Sequence, residues 1–348
     1  MINSIAEAGV GFKKSVKAPY GSSGEMFIKN QYLNKEEEFF VFKPSGITLY
    51  DDAFHGSDSL FSTEWWYFDA ILDNNYSIQL VINIFGIIQE KVVLTKINIY
   101  RYGELLITRE EIYSSRDFTI SREEPRILIK GREVLRGYIV GDIWFYNVNI
   151  SIDDVSISLM YTGINKGWMG SVLVGDWVVA LPKACVSGFI SIDNTLISVR
   201  GIGYHDHNYD LTLGVLFKFG WYWGKAHTSN FTLVWSYQLD DTRFDKAPLV
   251  VINNGREKYF SINPHDIEFT TNEYRYNNGC FIPMDLTLRV STDNSSVFIK
   301  MTPVGIHHVN ILFFKYWRFH MKCTGYITVD GCTEMINQVE ITEIARFR

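Results

Sequence analysis

Ten residues near the middle of the chain hold its densest set of groups able to move a proton or grip a ligand. They are Gly201-Ile202-Gly203-Tyr204-His205-Asp206-His207-Asn208-Tyr209-Asp210. As a β-strand, the segment puts Tyr204, Asp206 and Asn208 on one face and His205 and His207 on the other. The first face offers a phenol, a carboxyl and an amide to a common ligand. The second face carries two imidazoles at i and i+2, a spacing able to chelate a metal. A metal would need a distant third ligand, His227 or a carboxylate, which the sequence does not identify, and no metal is expected. Alternatively, Asp206 and the histidines tie down a strand end through hydrogen bonds to buried backbone, since buried polar groups must be paired.

A second cluster is Ser62-Thr63-Glu64-Trp65-Trp66-Tyr67-Phe68-Asp69. Alternation places Glu64, Trp66 and Phe68 on one face and Trp65, Tyr67 and Asp69 on the other. Core packing accounts for the rings but less well for a carboxyl at each end, because an unpaired buried carboxylate is costly. A third cluster, Trp221-Tyr222-Trp223-Gly224-Lys225, reads as packing more readily than as a site. Gly-rich phosphate cradles, dinucleotide fingerprints and nucleophile-elbow serines are missing from the sequence.

The elements that must position these clusters are strands. Period-2 alternation runs through residues 77–84, 92–100, 148–152, 155–159 and 284–290. It marks antiparallel strands with one face inward. Turn chemistry separates them at Asp73-Asn74-Asn75, Asp153-Asp154, Asp193-Asn194, Asn253-Asn254-Gly255, Asn277-Asn278-Gly279 and Asp330-Gly331. The chain also repeats itself. Trp65-Trp66-Tyr67-Phe68-Asp69-Ala70 aligns with Trp221-Tyr222-Trp223-Gly224-Lys225-Ala226, and Ser187-Gly188-Phe189-Ile190 with Thr324-Gly325-Tyr326-Ile327. Continued without a gap, the second register sets Asp206 opposite Glu343. The expectation is an all-β protein of two tandem barrel-like domains: an extension over 1–45, a first barrel over 46–210 and a second over 211–348.

Composition excludes several functions. The net charge of −6 and the lack of a basic stripe argue against nucleic acid. Cys185, Cys280, Cys323 and Cys332 show no zinc-site spacing, and the reading is four reduced thiols, mostly buried in strands. With neither a signal-like leader nor an apolar run long enough to span a bilayer, the expectation is a cytoplasmic protein without a transmembrane segment.

Glu64-Trp65-Trp66-Tyr67-Phe68-Asp69 resembles the E-W-W-Y-F motif of the carotenoid 1,2-hydratase (hydroxyneurosporene synthase) family. Ala180-Leu181-Pro182-Lys183-Ala184 with Val186-Ser187-Gly188 resembles its Pro-basic-Ala and Ser-Gly block. Gly201 to Asn208 resembles its G-x-G-Y-H-D-H-N segment, although Tyr209-Asp210 stands where that family has Trp-Gly. The resemblance implies two lipocalin-like antiparallel barrels. The wider group includes kievitone hydratase and decalin-forming cyclases (Diels–Alderases), which act on hydrophobic unsaturated molecules without a redox cofactor. The implied function is cofactor-independent hydration, isomerisation or cyclisation of a hydrophobic polyene, terpenoid or polyketide, by a lyase or isomerase. A pericyclic cyclase working by preorganisation and a non-catalytic carrier of a hydrophobic molecule are the alternatives. The resemblance implies a buried carboxylic acid as proton donor, a role that falls on Asp206, kept neutral by burial. Asp206, Tyr204 and His205 are the catalytic candidates, with Glu64, Trp66, Trp177, Asn208 and Trp223 as substrate-binding candidates.

Overall fold

Every polar cluster expected to reverse the chain does so through residues at positive φ: Asn75, Asp153, Asp193-Asn194, Gly255, Asn278-Gly279 and Asp330-Gly331. Short polar side chains and glycine tolerate this region, which tight antiparallel hairpins require. The computed structural model describes residues 41–43, 45–56, 61–87, 90–172, 175–212, 219–240, 246–311 and 314–347. The first half begins with β1 (Val41–Phe42), β2 (Phe61–Leu72), β3 (Tyr76–Ile87), β4 (Glu90–Arg101) and β5 (Glu104–Ser114). It continues with β6 (Phe118–Ile120), β7 (Arg126–Ile129), β8 (Arg132–Val140), β9 (Ile143–Ile152) and β10 (Val155–Gly163). It ends with β11 (Trp168–Val172), β12 (Gly175–Ile192) and β13 (Thr195–Thr212). The second half runs β14 (Phe219–His227), β15 (Phe231–Asp240), β16 (Lys246–Asn254) and β17 (Lys258–Ser261). A 3-10 turn, Pro264–Asp266, leads to β18 (Ile267–Asn277), β19 (Cys280–Ser291), β20 (Ser295–Ile311), β21 (Phe314–Val329) and β22 (Cys332–Phe347).

The two halves share one strand order. Hydrogen bonding runs β5-β4-β3-β2-β13-β12-β10-β9-β8 in the first, continuing there to β7-β6, and β17-β16-β15-β14-β22-β21-β20-β19-β18 in the second. In each, the first long strand pairs with the last, as a sheet curling toward closure must. The result is a nearly closed barrel and a half-barrel, the tandem lipocalin-like architecture expected from the sequence. The repeat extends to single residues. Gly188 and Gly325 share φ near 150°. A Cβ at either would lie 2.1 Å from the Ser158 oxygen or 1.8 Å from the Phe298 oxygen of the neighbouring strand, so only glycine fits both.

Of the expected extension over 1–45, residues 1–40 lie outside the described residues, while Val41–Phe42 pair with β11. The four cysteines all lie in strands, but only Cys323 is buried; Cys185 and Cys332 are exposed and Cys280 is half-buried. Alternation is the reason, since it turns every second residue of a strand to the outside. Among the described residues no helix is long and apolar enough to cross a membrane.

Three apolar clusters form. One fills the first barrel and includes Trp66, Phe68 and Tyr209; a second fills the other half around Trp235, Trp317 and Phe319. The third draws on both halves, joining Tyr67, Trp177 and Tyr204 to Trp223, Val234 and Ile341. Successive residues of β2 and β13 therefore face different cores, and the face turned toward the second half carries Tyr204 and Asp206.

Candidate active site

The site grows from the antiparallel ladder of β2 and β13. Tyr67 lies opposite Asp206, and Asp69 opposite Tyr204. Each strand thus contributes a Tyr-x-Asp pair on the same face, and each phenol reaches the carboxyl two residues on. The Tyr204 hydroxyl donates to Asp206 Oδ2 at 2.7 Å, and the Tyr67 hydroxyl lies 3.1 Å from Asp69 Oδ2. From β12, Trp177 sits opposite Asn208, and its indole N–H donates to Asp206 Oδ2 at 2.9 Å. The Asn208 amide donates to Asp206 Oδ1 at 3.2 Å.

Asp206 is thus held by neutral donors. Burial pushes its pKa up from the ordinary carboxylate range to about 7, with the negative charge of Glu343 adding to the rise. The Tyr204 and Trp177 donors oppose that shift without cancelling it. Two of the three donors occupy Oδ2, which leaves Oδ1, with its single longer contact, as the oxygen best placed to carry a proton. Burial raises the Tyr204 pKa well above the usual phenol value, so its hydroxyl remains a donor.

The opposite wall comes from the second half. The Trp223 ring of β14 lies 5.1 Å from that of Tyr204 and 5.7 Å from that of Tyr67, between centroids. Lys225, two residues on, pairs with Asp69 Oδ1 at 2.6 Å. Arg318 of β21, fully buried, pairs with Glu343 of β22 at 2.6 Å and lies 3.7 Å from Asp69. It also donates to the Tyr67 hydroxyl, which itself sits 2.7 Å from Glu343 Oε1. Burial raises the Glu343 pKa, against the lowering influence of Arg318, Tyr316 and Tyr67. Three carboxyl groups therefore share two cations, and a neutral cluster must hold one proton.

His205, Glu64 and Trp66 are not brought to this cluster. They face the first barrel, where they fasten the 45–56 segment. The His205 ring bonds Asp52 Oδ2 at 3.0 Å and the Tyr67 carbonyl at 2.9 Å, and stacks on Phe68 at 3.8 Å. Tyr146 donates to the same Asp52 oxygen at 2.6 Å. Glu64 accepts from the backbone N–H groups of His55 and Gly56 and bonds the His207 ring at 3.0 Å. Trp66 stacks on His207 and donates to the Asp52 carbonyl. Among the described residues no group of three His, Cys, Asp or Glu side chains is arranged to hold a metal ion.

Sequence reasoning singled out neither Lys225 nor Arg318 as a site residue. Arg318 carried a signal, a lone cation in the aromatic run Tyr316-Trp317-Arg318-Phe319. Asp69 was visible as a carboxyl that core packing explains poorly, and Glu343 only as the repeat partner of Asp206. The ladders place Asp206 opposite Tyr67 and Glu343 opposite Trp223, which is the Tyr67 counterpart in the repeat.

No protein-family model matches the chain. Over 140 residues it is 27% identical to hydroxyneurosporene dehydrogenase of Chlorobaculum tepidum, a match covering 36% of this chain and about a third (34%) of that relative. Among solved structures it resembles an AttH protein of Nitrosomonas europaea, with TM-score 0.59 and 14% identity over 84% of this chain and 95% of that one. It also resembles CghA, with TM-score 0.52 and 9% identity over 83% and 89% of the two chains. The motif resemblance and the fold agree: this chain is similar to the hydroxyneurosporene group of proteins and shares its tandem lipocalin-like architecture with AttH and CghA.

Proposed function

We propose that this chain is an enzyme that binds a hydrophobic polyene between its two halves and protonates it from Asp206, leading to hydration, isomerisation or cyclisation. One observation carries the reading: Asp206 is buried among aromatic rings and is held only by neutral donors, and that burial pushes its pKa up to about 7. An acid strong enough to protonate an alkene must be neutral when the substrate arrives, and burial in an apolar pocket achieves that. The cation formed is stabilised by the π faces of Trp177, Trp223 and Tyr67, which share one apolar cluster beside the carboxyl. Capture by water gives an alcohol, proton loss an isomer, and capture by an internal alkene a ring. A positioned general acid contributes about 10²–10⁴-fold, so holding the chain in a reactive shape supplies much of the remainder. The relative named for hydroxyneurosporene, a hydroxylated polyene, supports the substrate class; the reaction proposed is read from the site, not from that name. We place this chemistry in the cytoplasm.

The test compares metabolites of cells making the wild-type protein with those making Asp206→Asn. The expected result is loss of a product and accumulation of its precursor. A mass difference of one water assigns hydration, and an isobaric pair assigns isomerisation or cyclisation. Partial turnover in the variant would favour a pericyclic cyclase working by preorganisation. An unchanged metabolite profile would overturn catalysis by Asp206 and leave a carrier of a hydrophobic molecule.

A further inference from the structure

Resting on that reading, we propose that Glu343 is the second catalytic group of the site, the base that receives the proton lost by water as Asp206 gives its own to the alkene. Three features of the structure carry this.

The first is symmetry. Asp206 ends its half on β13 and Glu343 ends the other on β22, at equivalent places in the repeat and in the two ladders. Duplication has therefore set one carboxyl on each half, and the site between them is incomplete without either. The second is connection. Tyr67 stands opposite Asp206 on the β2–β13 ladder, and its hydroxyl bonds Glu343 at 2.7 Å, so the strand paired with Asp206 is tied to the other carboxyl. The third is access. Asp69, Tyr204 and Arg318 are fully sealed, whereas Asp206, Glu343, Tyr67, Trp177 and Trp223 each keep 5–7% of their surface open. Trp177 bonds Asp206, and Tyr67 joins Glu343 to Trp223, so both carboxyls lie at the edge of the cluster and not in its sealed floor.

The groups facing each acid suit the division of labour. Asp206 faces Tyr204 and Asn208 of its own strand, Trp177 of β12, Tyr67 of β2 and the negative charge of Glu343, with His205 behind the strand. Glu343 faces Arg318 and Tyr316 of β21, Tyr67 and Asp69 of β2, and Gln79 of β3 at 3.4 Å. Lys225 of β14 compensates Asp69. At Glu343 burial raises the pKa and a cation in direct contact opposes that rise, whereas among the described residues no cation contacts Asp206.

The step balances. The Asp206 proton forms a C–H bond at one alkene carbon, and an oxygen lone pair of water forms a C–O bond at the other. The proton released from that water passes to the Glu343 carboxylate. The net change is addition of water across one double bond, and one proton returning from Glu343 to Asp206 resets the pair.

Two measurements on the full chain test this. In pH-difference infrared spectra, the C=O band of a protonated carboxyl should disappear in wild type with a midpoint near pH 7 and should be missing from Asp206→Asn. In Glu343→Gln that midpoint should fall, because a neighbouring negative charge has been removed. Where Glu343→Gln does not fold, Asp206→Asn, which leaves every ion pair intact, supplies the reciprocal reading, a lowered midpoint for Glu343. A midpoint at either acid that ignores loss of the other overturns the pairing. In the metabolite comparison above, Glu343→Gln should slow formation of the same product by about 100-fold or more, with Glu343→Asp recovering part of it. Full product from Glu343→Gln beside none from Asp206→Asn overturns the base while leaving the acid intact. Full product from both overturns the acid reading itself.

Discussion

Tyr67-x-Asp69 and Tyr204-x-Asp206 are the same three-residue device on neighbouring antiparallel strands, each phenol directed at its own carboxyl. Their surroundings divide them. Asp69 meets the ammonium of Lys225 at 2.6 Å and the guanidinium of Arg318 at 3.7 Å. Asp206 meets an indole, a phenol and an amide, and its pKa is pushed up to about 7. One carboxyl is locked into an ion network that joins the two halves, and the other is free to exchange a proton. Identical side chains in identical local geometry do different work because the second half supplies cations to one and rings to the other. The general lesson is that paired titratable groups with diverging environments mark out acid and base roles.

The most severe way to break the comparison is to remove the cation that distinguishes the dyads. Lys225→Met removes the cation in direct contact with buried Asp69, leaving it only Arg318 at 3.7 Å, and should cost about 3–5 kcal/mol, read from urea unfolding at neutral pH. Replacing Asp69 by Asn in the same chain should restore much of that loss, whereas an additive second loss would show that the pair does not act as a unit. A smaller effect comes from the phenols. Tyr67→Phe removes a hydroxyl serving Arg318 and Glu343 and should cost about 1.5–3 kcal/mol, as hydrogen bonds to charged groups do. Tyr204→Phe should cost less, about 1 kcal/mol, because its loss is felt mainly by the charged form of Asp206. The Tyr204 hydroxyl holds the Asp206 pKa down, so its removal should carry the alkaline limb of the pH–rate profile upward. A limb that stays put in Tyr204→Phe would separate that phenol from the acid.

Much of this arrangement is legible in the sequence, and the boundary is physical. Alternation suffices to place Tyr204, Asp206 and Asn208 on one face and His205 and His207 on the other, since a strand's period of two is fixed by its backbone. The turns are readable because Asn, Asp and Gly are the residues that tolerate positive φ. The duplication is readable because Gly188 and Gly325 each answer to a close backbone approach. What the sequence hides is partnership across the halves. Lys225 lies 156 residues from Asp69 in the chain and Arg318 lies 251 from Tyr67, and no local pattern links them. Motif adjacency also misleads: His205 sits between Tyr204 and Asp206 in the chain but projects into the first barrel toward Asp52. Glu64 and Trp66 share that fate, as alternation from Tyr67 requires.

The central claim, that burial keeps Asp206 a neutral acid near physiological pH, can be tested without a substrate. Folding raises this carboxyl from an unfolded value near 4 to about 7. Between those values the folded state binds the extra proton, so stability falls as pH rises through the window and the full penalty applies above pH 7. The penalty is roughly 3–4 kcal/mol, and Asp206→Asn removes it. The measurement is urea unfolding of wild type and Asp206→Asn from pH 4 to 8. The account predicts two curves that meet near pH 4 and diverge as pH rises, with the variant the more stable by a few kcal/mol at pH 8. Parallel curves, or a variant that is less stable at pH 8, would contradict it.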